Sequence, residues 1–254
     1  VLLPLPLLLA AFFGAGPAMA EPLRLLYRLQ AGGMTVLELE AELDLGPQGY
    51  RMEAITRTRG LAAVFLPGEQ RTLAEGGWAG ERPRPATYHA EGVWRGRLRR
   101  TVLRWTGAEP AIAAMEPPNE EEREEVPSAL RHGTLDALSA LAQLSRQVAE
   151  TGRCDAAAAI YDGRRRTEIA TRTESIDRLP AWRDAWAGDA LRCSYEGRTV
   201  AGFRLNEDRE RQAEPQRGLA WMAPALPGAP PLPVRVDLPS RWFGTVTAYL
   251  VRAD

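Results

Sequence analysis

The sequence predicts a mainly β fold of the α+β class, an antiparallel sheet with one packed amphipathic helix. Three observations carry this. Residues 37–45 alternate strictly between apolar and acidic side chains. Glycine- and proline-based turn signals punctuate short apolar runs along the chain. One segment, near residues 134–152, has both the caps and the periodicity of a long helix.

Val1 to Phe13 is almost wholly apolar, and Ala18-Met19-Ala20 is a small-x-small cleavage pattern. Residues 1–20 therefore read as a secretory signal peptide cut after Ala20. The apolar run is shorter than the ~20 residues that a membrane span needs. No lipobox cysteine follows it. The initiator Met and a basic n-region are absent, which points to a truncated precursor. Residues 21–254 are expected to form a single β-rich domain, soluble and exported to the periplasm.

Leu23, Leu25, Tyr27 and Leu29 alternate with Arg24 and Arg28. After Gly32-Gly33, Leu37, Leu39, Ala41, Leu43 and Leu45 share one face, and Glu38, Glu40, Glu42 and Asp44 the other. Such a pattern marks a half-buried antiparallel strand. Gly46-Pro47-Gln48-Gly49 turns the chain into a returning strand over 50–58, where Arg51 and Arg57 would oppose those acids. A regular extended strand suits a solvated acidic face better than a calcium cage. Residues 60–66 read as a helical turn or apolar flap. Strands follow over 71–78, 86–92 and 97–106. Residues 110–126 read as a loop whose Glu120–Glu125 run is solvated and mobile.

The helix is expected over Leu135–Glu150, capped by Thr134 and ended by Gly152. Leu135, Leu138, Leu141, Ala142, Leu144, Val148 and Ala149 form its apolar face, with Ser139, Gln143 and Arg146 opposite. Asp162-Gly163 signals a two-residue hairpin between Ala156–Tyr161 and Arg164–Ala170. Trp182 and Trp186, four apart, would stack on one face of a short turn. Residues 191–195, 234–238 and 244–251 are strands, and 225–233 a Pro/Gly loop.

Cys154 and Cys193 are the only cysteines. In an oxidising compartment two cysteines pair. The bridge would close a loop of about 40 residues, with roughly 4 kcal/mol available in the chain-entropy description. A metal site is the alternative, but it needs three or four ligands. Only His89 and His132 offer imidazoles, and neither has a partner at ligand spacing. No metal and no cofactor are expected.

The inventory also disfavours catalysis. There is no Gly-x-Ser-x-Gly elbow and no lysine anywhere, so a Schiff-base or phosphate-loop lysine is impossible. Paired carboxylates remain open, since any two acids could meet in space. The formal net charge of -1 argues against nucleic acid as a partner. Binding is better supported. Arg95, Arg97, Arg99, Arg100 and Arg104 form a basic strand flanked by Trp94 and Trp105, and Arg164-Arg165-Arg166 a second basic tip. Arginine forks suit phosphate, and indole rings suit a lipid–water boundary. A solvated surface balanced by the acidic strand is the alternative.

Several of these segments, in this order and spacing, carry a family resemblance. They are Gly76-Gly77-Trp78 with Pro85-Ala86-Thr87-Tyr88, Arg97 to Trp105, Arg123 to Pro127, and Leu135-Asp136-Ala137-Leu138-Ser139-Ala140. The Asp162-Gly163-Arg164-Arg165 tip, the cysteine pair and Phe243-Gly244-Thr245-Val246 complete the set. Together they resemble the exported bacterial proteins classed as domain of unknown function 3108. That family is in turn similar to the β-rich, open-barrel lipoprotein carriers of the Lol type. The resemblance implies a curved sheet or open half-barrel, and brings no catalytic residues.

The expected function is binding or carrying an apolar or amphipathic cell-envelope component, a lipid or lipoprotein, in the concavity of the sheet. The helix and the 60–66 flap would cover the opening. A structural or adaptor role in envelope assembly is the alternative, with the Trp182/Trp186 turn or a sheet edge docking envelope proteins.

Overall fold

The computed structural model describes residues 21–94, 96–240 and 244–254. The expected signal peptide, Arg95 and Phe243 lie outside them. Seven strands come first: β1 (Leu23–Ala31), β2 (Met34–Leu45), β3 (Gly49–Thr58), β4 (Gly68–Ala79), β5 (Arg82–Trp94), β6 (Arg97–Thr106) and β7 (Glu109–Glu116). Six follow: β8 (Ala156–Tyr161), β9 (Arg166–Leu179), β10 (Gly188–Ala201), β11 (Gln216–Pro224), β12 (Pro231–Ser240) and β13 (Gly244–Ala253). The helices are α1 (Gly60–Phe65), α2 (Ser128–Arg131), α3 (Ala137–Thr151) and α4 (Arg209–Ala213), with a 3-10 turn at Asn119–Glu121. No helix among the described residues is long and apolar enough to cross a membrane.

All strands join one antiparallel sheet in the order β7-β6-β5-β4-β3-β2-β1-β13-β12-β11-β10-β9-β8. The first and last strands are neighbours, Leu25 opposite Ala253, so each half of the sheet is a meander leading away from the middle. The sheet is curved and not closed by a ladder between β7 and β8. Its two ends are joined by other means. Leu135 docks on the outer edge of β8, its N–H donating to Ala159 O and its carbonyl accepting from Tyr161 N–H, both at 2.8 Å. Gly133 N–H donates to Ala108 O, beyond the end of β6, at 2.8 Å. These contacts cover an edge that would otherwise present unpaired backbone groups.

The alternation of β2 places Leu43 in the core and Glu38, Glu40 and Glu42 on the other face. There they meet Arg59 at 2.7 Å, Arg57 at 2.9 Å and Arg24 at 3.4 Å. Arg57 thus opposes the acids as the pattern predicts. Arg51 likewise stands opposite Asp44 in the register, and its guanidinium pairs with Glu75 on β4.

α3 fills the concavity at one end of the sheet. Ala142 lies in the main core with Leu25, Leu43, Met52, Trp221 and Leu250, and Leu138 and Leu141 pack against it. Its contacts fall at one set of strand ends: Ser139 with Tyr50 at 2.7 Å, Ser145 with Pro231 O at 2.7 Å, and the Arg146 guanidinium 4.6 Å from the Trp78 ring centre.

The cap is Asp136, whose Oδ1 accepts from Ser139 N–H at 2.9 Å. The Thr134 hydroxyl instead donates to Arg131 O at 2.7 Å. Gly152, at φ 67°, ends the helix with its N–H on Val148 O. Ser139, expected on the solvent side, is fully buried, and so is Ser145. The sheet wraps more of the helix than its apolar arc, and small hydroxyls fit there because each finds a hydrogen-bond partner.

Cys154 and Cys193 are disulfide-bonded, their Cα atoms 6.2 Å apart. The bridge packs with Val148 and Met222, tying the segment after α3 to β10.

Three further expectations about the chain's turns and strands need correction. The loop predicted over 110–126 begins as strand β7, where Pro110 is tolerated because the strand lies at the sheet edge. The Asp162-Gly163 hairpin has a four-residue loop, since Tyr161 pairs with Arg166; Asp162 Oδ1 accepts the N–H groups of Arg164 and Arg165 and turns the chain there. Trp182 and Trp186 do not stack on each other. Trp182 lies on Tyr249, ring centres 4.7 Å apart, and Trp186 packs against the main core.

Candidate functional site

In an antiparallel sheet, successive connections alternate between its two ends. The end away from α3 carries the turn at Gly32-Gly33, α1, the turn between β5 and β6, the β8–β9 loop and the β10–β11 loop. Large apolar side chains are exposed here on every one of these connections but the β8–β9 loop. They are Met34, the α1 residues Leu61, Val64 and Phe65, then Val93, Trp94 and Leu98 beside the β5–β6 turn, and Leu205. Val64 and Phe65 are 72% and 76% exposed, so α1 buries neither. The helix stands beside the start of β2 and does not form the cover that its apolar sequence suggested.

The inner face of the sheet stays apolar toward this rim. Leu29 pairs with Leu37, Tyr27 with Leu39, Val236 with Ala248 and Leu238 with Val246. Leu29, Leu37, Leu39, Val236, Leu238 and Val246 are each only half-buried. They share a face with the core residues Leu25, Leu43, Val234 and Leu250, beyond the volume that α3 occupies.

Beside this rim lies a groove of about 760 Å³. Trp94, Arg97 and Arg99 line one side, and Glu122, Arg204 and Glu207 the other. The Trp94 ring lies over Gly68, where a Cβ would fall 2.3 Å from Trp94 Cε3. Arg99 makes a bidentate pair: its Nη1 and Nη2 donate to the two oxygens of Glu122 at 2.9 and 2.6 Å. These bonds, with Arg164 and Arg97 nearby, hold the Glu122 carboxyl down at about 2 against burial. Arg97 has no carboxylate within 4.0 Å among the described residues.

Arg164 is buried and reaches from the β8–β9 loop across the rim to the end of β7, the opposite edge strand. Its Nη2 donates to Glu116 O at 2.8 Å and Pro117 O at 3.0 Å. Nη1 makes no hydrogen bond and lies 3.7 Å from Glu122. Burial, then Arg99, lowers the Arg164 pKa.

Residues 25–251 match the family described as protein of unknown function (DUF3108). The chain belongs to that family. Among solved structures, this DUF3108 protein is similar to a beta-barrel-like protein of domain of unknown function DUF1849 from Brucella abortus. The identity is 13% and the TM-score 0.57, with 92% of this chain and 97% of that one covered. The likeness shows the fold. No curated protein matches the chain.

In this DUF3108 chain the fold separates the residues that the sequence grouped. Trp94, Arg97, Arg99 and Arg164 converge at the rim. Arg104 is exposed on the opposite face of β6, in the alternation that buries Thr101 and Leu103. Trp105 is structural, its Nε1 donating to Thr134 O at 3.1 Å. Arg165 stands in the neighbouring pocket and pairs with Asp162 at 3.2 Å.

The acidic run is no mobile excursion. Glu122 holds Arg99, Glu124 holds Arg209 at 2.8 Å, and their backbone pairs with residues 203–205. Sequence reasoning missed Glu122, Arg123, Arg204 and Glu207. The one signal was the high density of charged residues in both stretches, an acidic run over 120–125 and a mixed one over 204–211.

Proposed function

We propose that the protein is an exported periplasmic binding protein for an apolar or amphipathic envelope component, a lipid or lipoprotein acyl group, and not an enzyme. The chain would follow the half-buried apolar face from Leu29 and Leu37 toward the rim. The polar end would rest among Trp94, Arg97 and the Arg99–Glu122 pair.

One observation carries the reading: α3 occupies only one end of the concavity, and at the other end the same sheet face stays apolar out to a rim that exposes Phe65, Val64 and Trp94. Exposed apolar surface gathered from several connections marks a binding surface more often than chance exposure does. Trp94 beside Arg97 suits a boundary between acyl chain and headgroup. The disulfide suits an oxidising compartment. The likeness to Lol-type carriers belongs to this reading too.

The test is native mass spectrometry on protein purified from periplasm without detergent, followed by solvent extraction. A lipid mass released on extraction is the expected result. A bare mass would sink the carrier reading and favour the adaptor role in envelope assembly.

A further inference from the structure

Arg123 and Arg204 stand directly opposite each other in an antiparallel bridge between the segment after β7 and the β10–β11 loop. Like charges in that relation destabilise a pair. The backbone nonetheless holds them there. Glu124 N–H donates to Phe203 O at 2.9 Å, and Leu205 N–H donates to Glu122 O at 3.1 Å.

A third cation is brought in from the β8–β9 loop. Gly202, at φ +77°, lets that loop approach until a Cβ would lie 2.2 Å from Arg164 O and 2.6 Å from Arg165 Cα. Arg123, Arg165 and Arg204 thus border one pocket of about 730 Å³, together with Thr199 and Gln212.

The carboxylates nearby do not complete the site. Arg204 pairs with Glu207 at 2.9 Å and Arg165 with Asp162 at 3.2 Å, each leaving guanidinium donors over. Asp208 is used as the cap of α4, accepting from Arg211 N–H at 2.7 Å. Arg123 has no carboxylate within 4.0 Å among the described residues, and its Nη1 donates to Gly202 O at 2.7 Å. Burial, with Arg165 and Arg204 adding to it, draws the Arg123 pKa down to about 10, which still leaves a cation at neutral pH.

We propose that this pocket binds a phosphate-type anion, held jointly by Arg123, Arg165 and Arg204. Three guanidinium groups from three chain segments match a group with several acceptor oxygens and more than one negative charge. The Thr199 hydroxyl at the lining can add a neutral hydrogen bond, while the Gln212 amide is spent on the backbone of Arg204 and Glu207 and braces the loop. The anion would offset the repulsion across the Arg123–Arg204 bridge. The same chemistry is offered by a free phosphate and by a phospholipid headgroup. The inference does not depend on the apolar ligand proposed above.

The test is calorimetric titration of the full purified chain with inorganic phosphate, at ionic strength matched with sodium chloride. Thermal melts in the two salts accompany it. The wild-type protein should bind phosphate and melt higher in phosphate than in chloride. Arg204→Gln and Arg165→Gln should each weaken binding about tenfold or more, the worth of one charge-assisted contact. Both side chains are largely exposed, at 57% and 49%, so melting in chloride should stay near wild type. Arg178→Gln, an exposed site on another part of β9, should keep wild-type affinity.

Dihexanoyl phosphatidic acid provides the second arm. Tighter binding than inorganic phosphate assigns a lipid headgroup, and equal or weaker binding assigns a free phosphate. No difference between phosphate and chloride in the wild type would overturn the proposal. So would unchanged affinity in either pocket variant, or an equal loss in Arg178→Gln.

Discussion

The Tyr50 hydroxyl donates to Ser139 Oγ at 2.7 Å, and Ser139 Oγ in turn donates to Asp136 Oδ2. This buried chain fixes the first turn of α3 against β3. Tyr50→Phe removes the outer donor and leaves Ser139 one acceptor site unused. It should cost about 1 kcal/mol in urea unfolding. Asp136→Ala also removes the helix cap and should cost more, about 1–2 kcal/mol. A double-mutant cycle between Tyr50 and Asp136 should be non-additive, because Ser139 links them.

Glu122 should govern part of the acid sensitivity. Its carboxyl is held at about 2 in the fold, against an ordinary value of 4.5, first by the Arg99 hydrogen bonds. A depressed carboxylate adds stability above its unfolded value and loses it as pH falls through the folded one. Stability should therefore decline between pH 4.5 and 2. Glu122→Gln should cost about 1 kcal/mol at pH 7, a figure kept small because both partners are partly exposed. The gap to wild type should close as pH approaches 2, measured by melting at stepped pH.

The disulfide has a direct chemical readout. Unreduced protein in denaturant should show no reactive thiol toward a thiol reagent, and two after reduction. Replacing both Cys154 and Cys193 by Ala should lower stability by up to about 4 kcal/mol on the chain-entropy account. Two reactive thiols before reduction would contradict the pairing.

The rim offers a separation of stability from binding. Val64→Ser and Phe65→Ser remove side chains that are 72% and 76% exposed. Each should leave unfolding within about 0.5 kcal/mol of wild type. Each should reduce the lipid recovered by extraction from protein purified without detergent. A stable variant with undiminished lipid would remove α1 from the ligand surface.

Much of the fold was legible because its signals are local. The alternation at Leu37–Leu45 placed β2 and its two faces correctly, and Gly152 marked the end of α3. The sequence patterns failed where a tertiary partner outweighed local preference. Ser139 reads as solvent-facing, yet its Tyr50 partner on β3 makes its burial tolerable. Residues 216–224 carried no clean alternation, because β11 is covered on both faces near Trp221 and Met222. The candidate site was half legible. Trp94, Arg97 and Arg99 adjoin in sequence, but Glu122 and Arg204 reach them only through the folded chain.

By itself the sequence determined the β class, the single long helix, the family membership and the cysteine pair. Period, capping and composition are properties of neighbouring residues, and they survive without knowledge of the fold. Tertiary structure alone decided that α3 fills one end of the sheet, and that Arg123, Arg165 and Arg204 face one pocket. Those facts depend on distances between segments roughly 40 to 80 residues apart, set by how the sheet curls and by Gly202 admitting the β8–β9 loop.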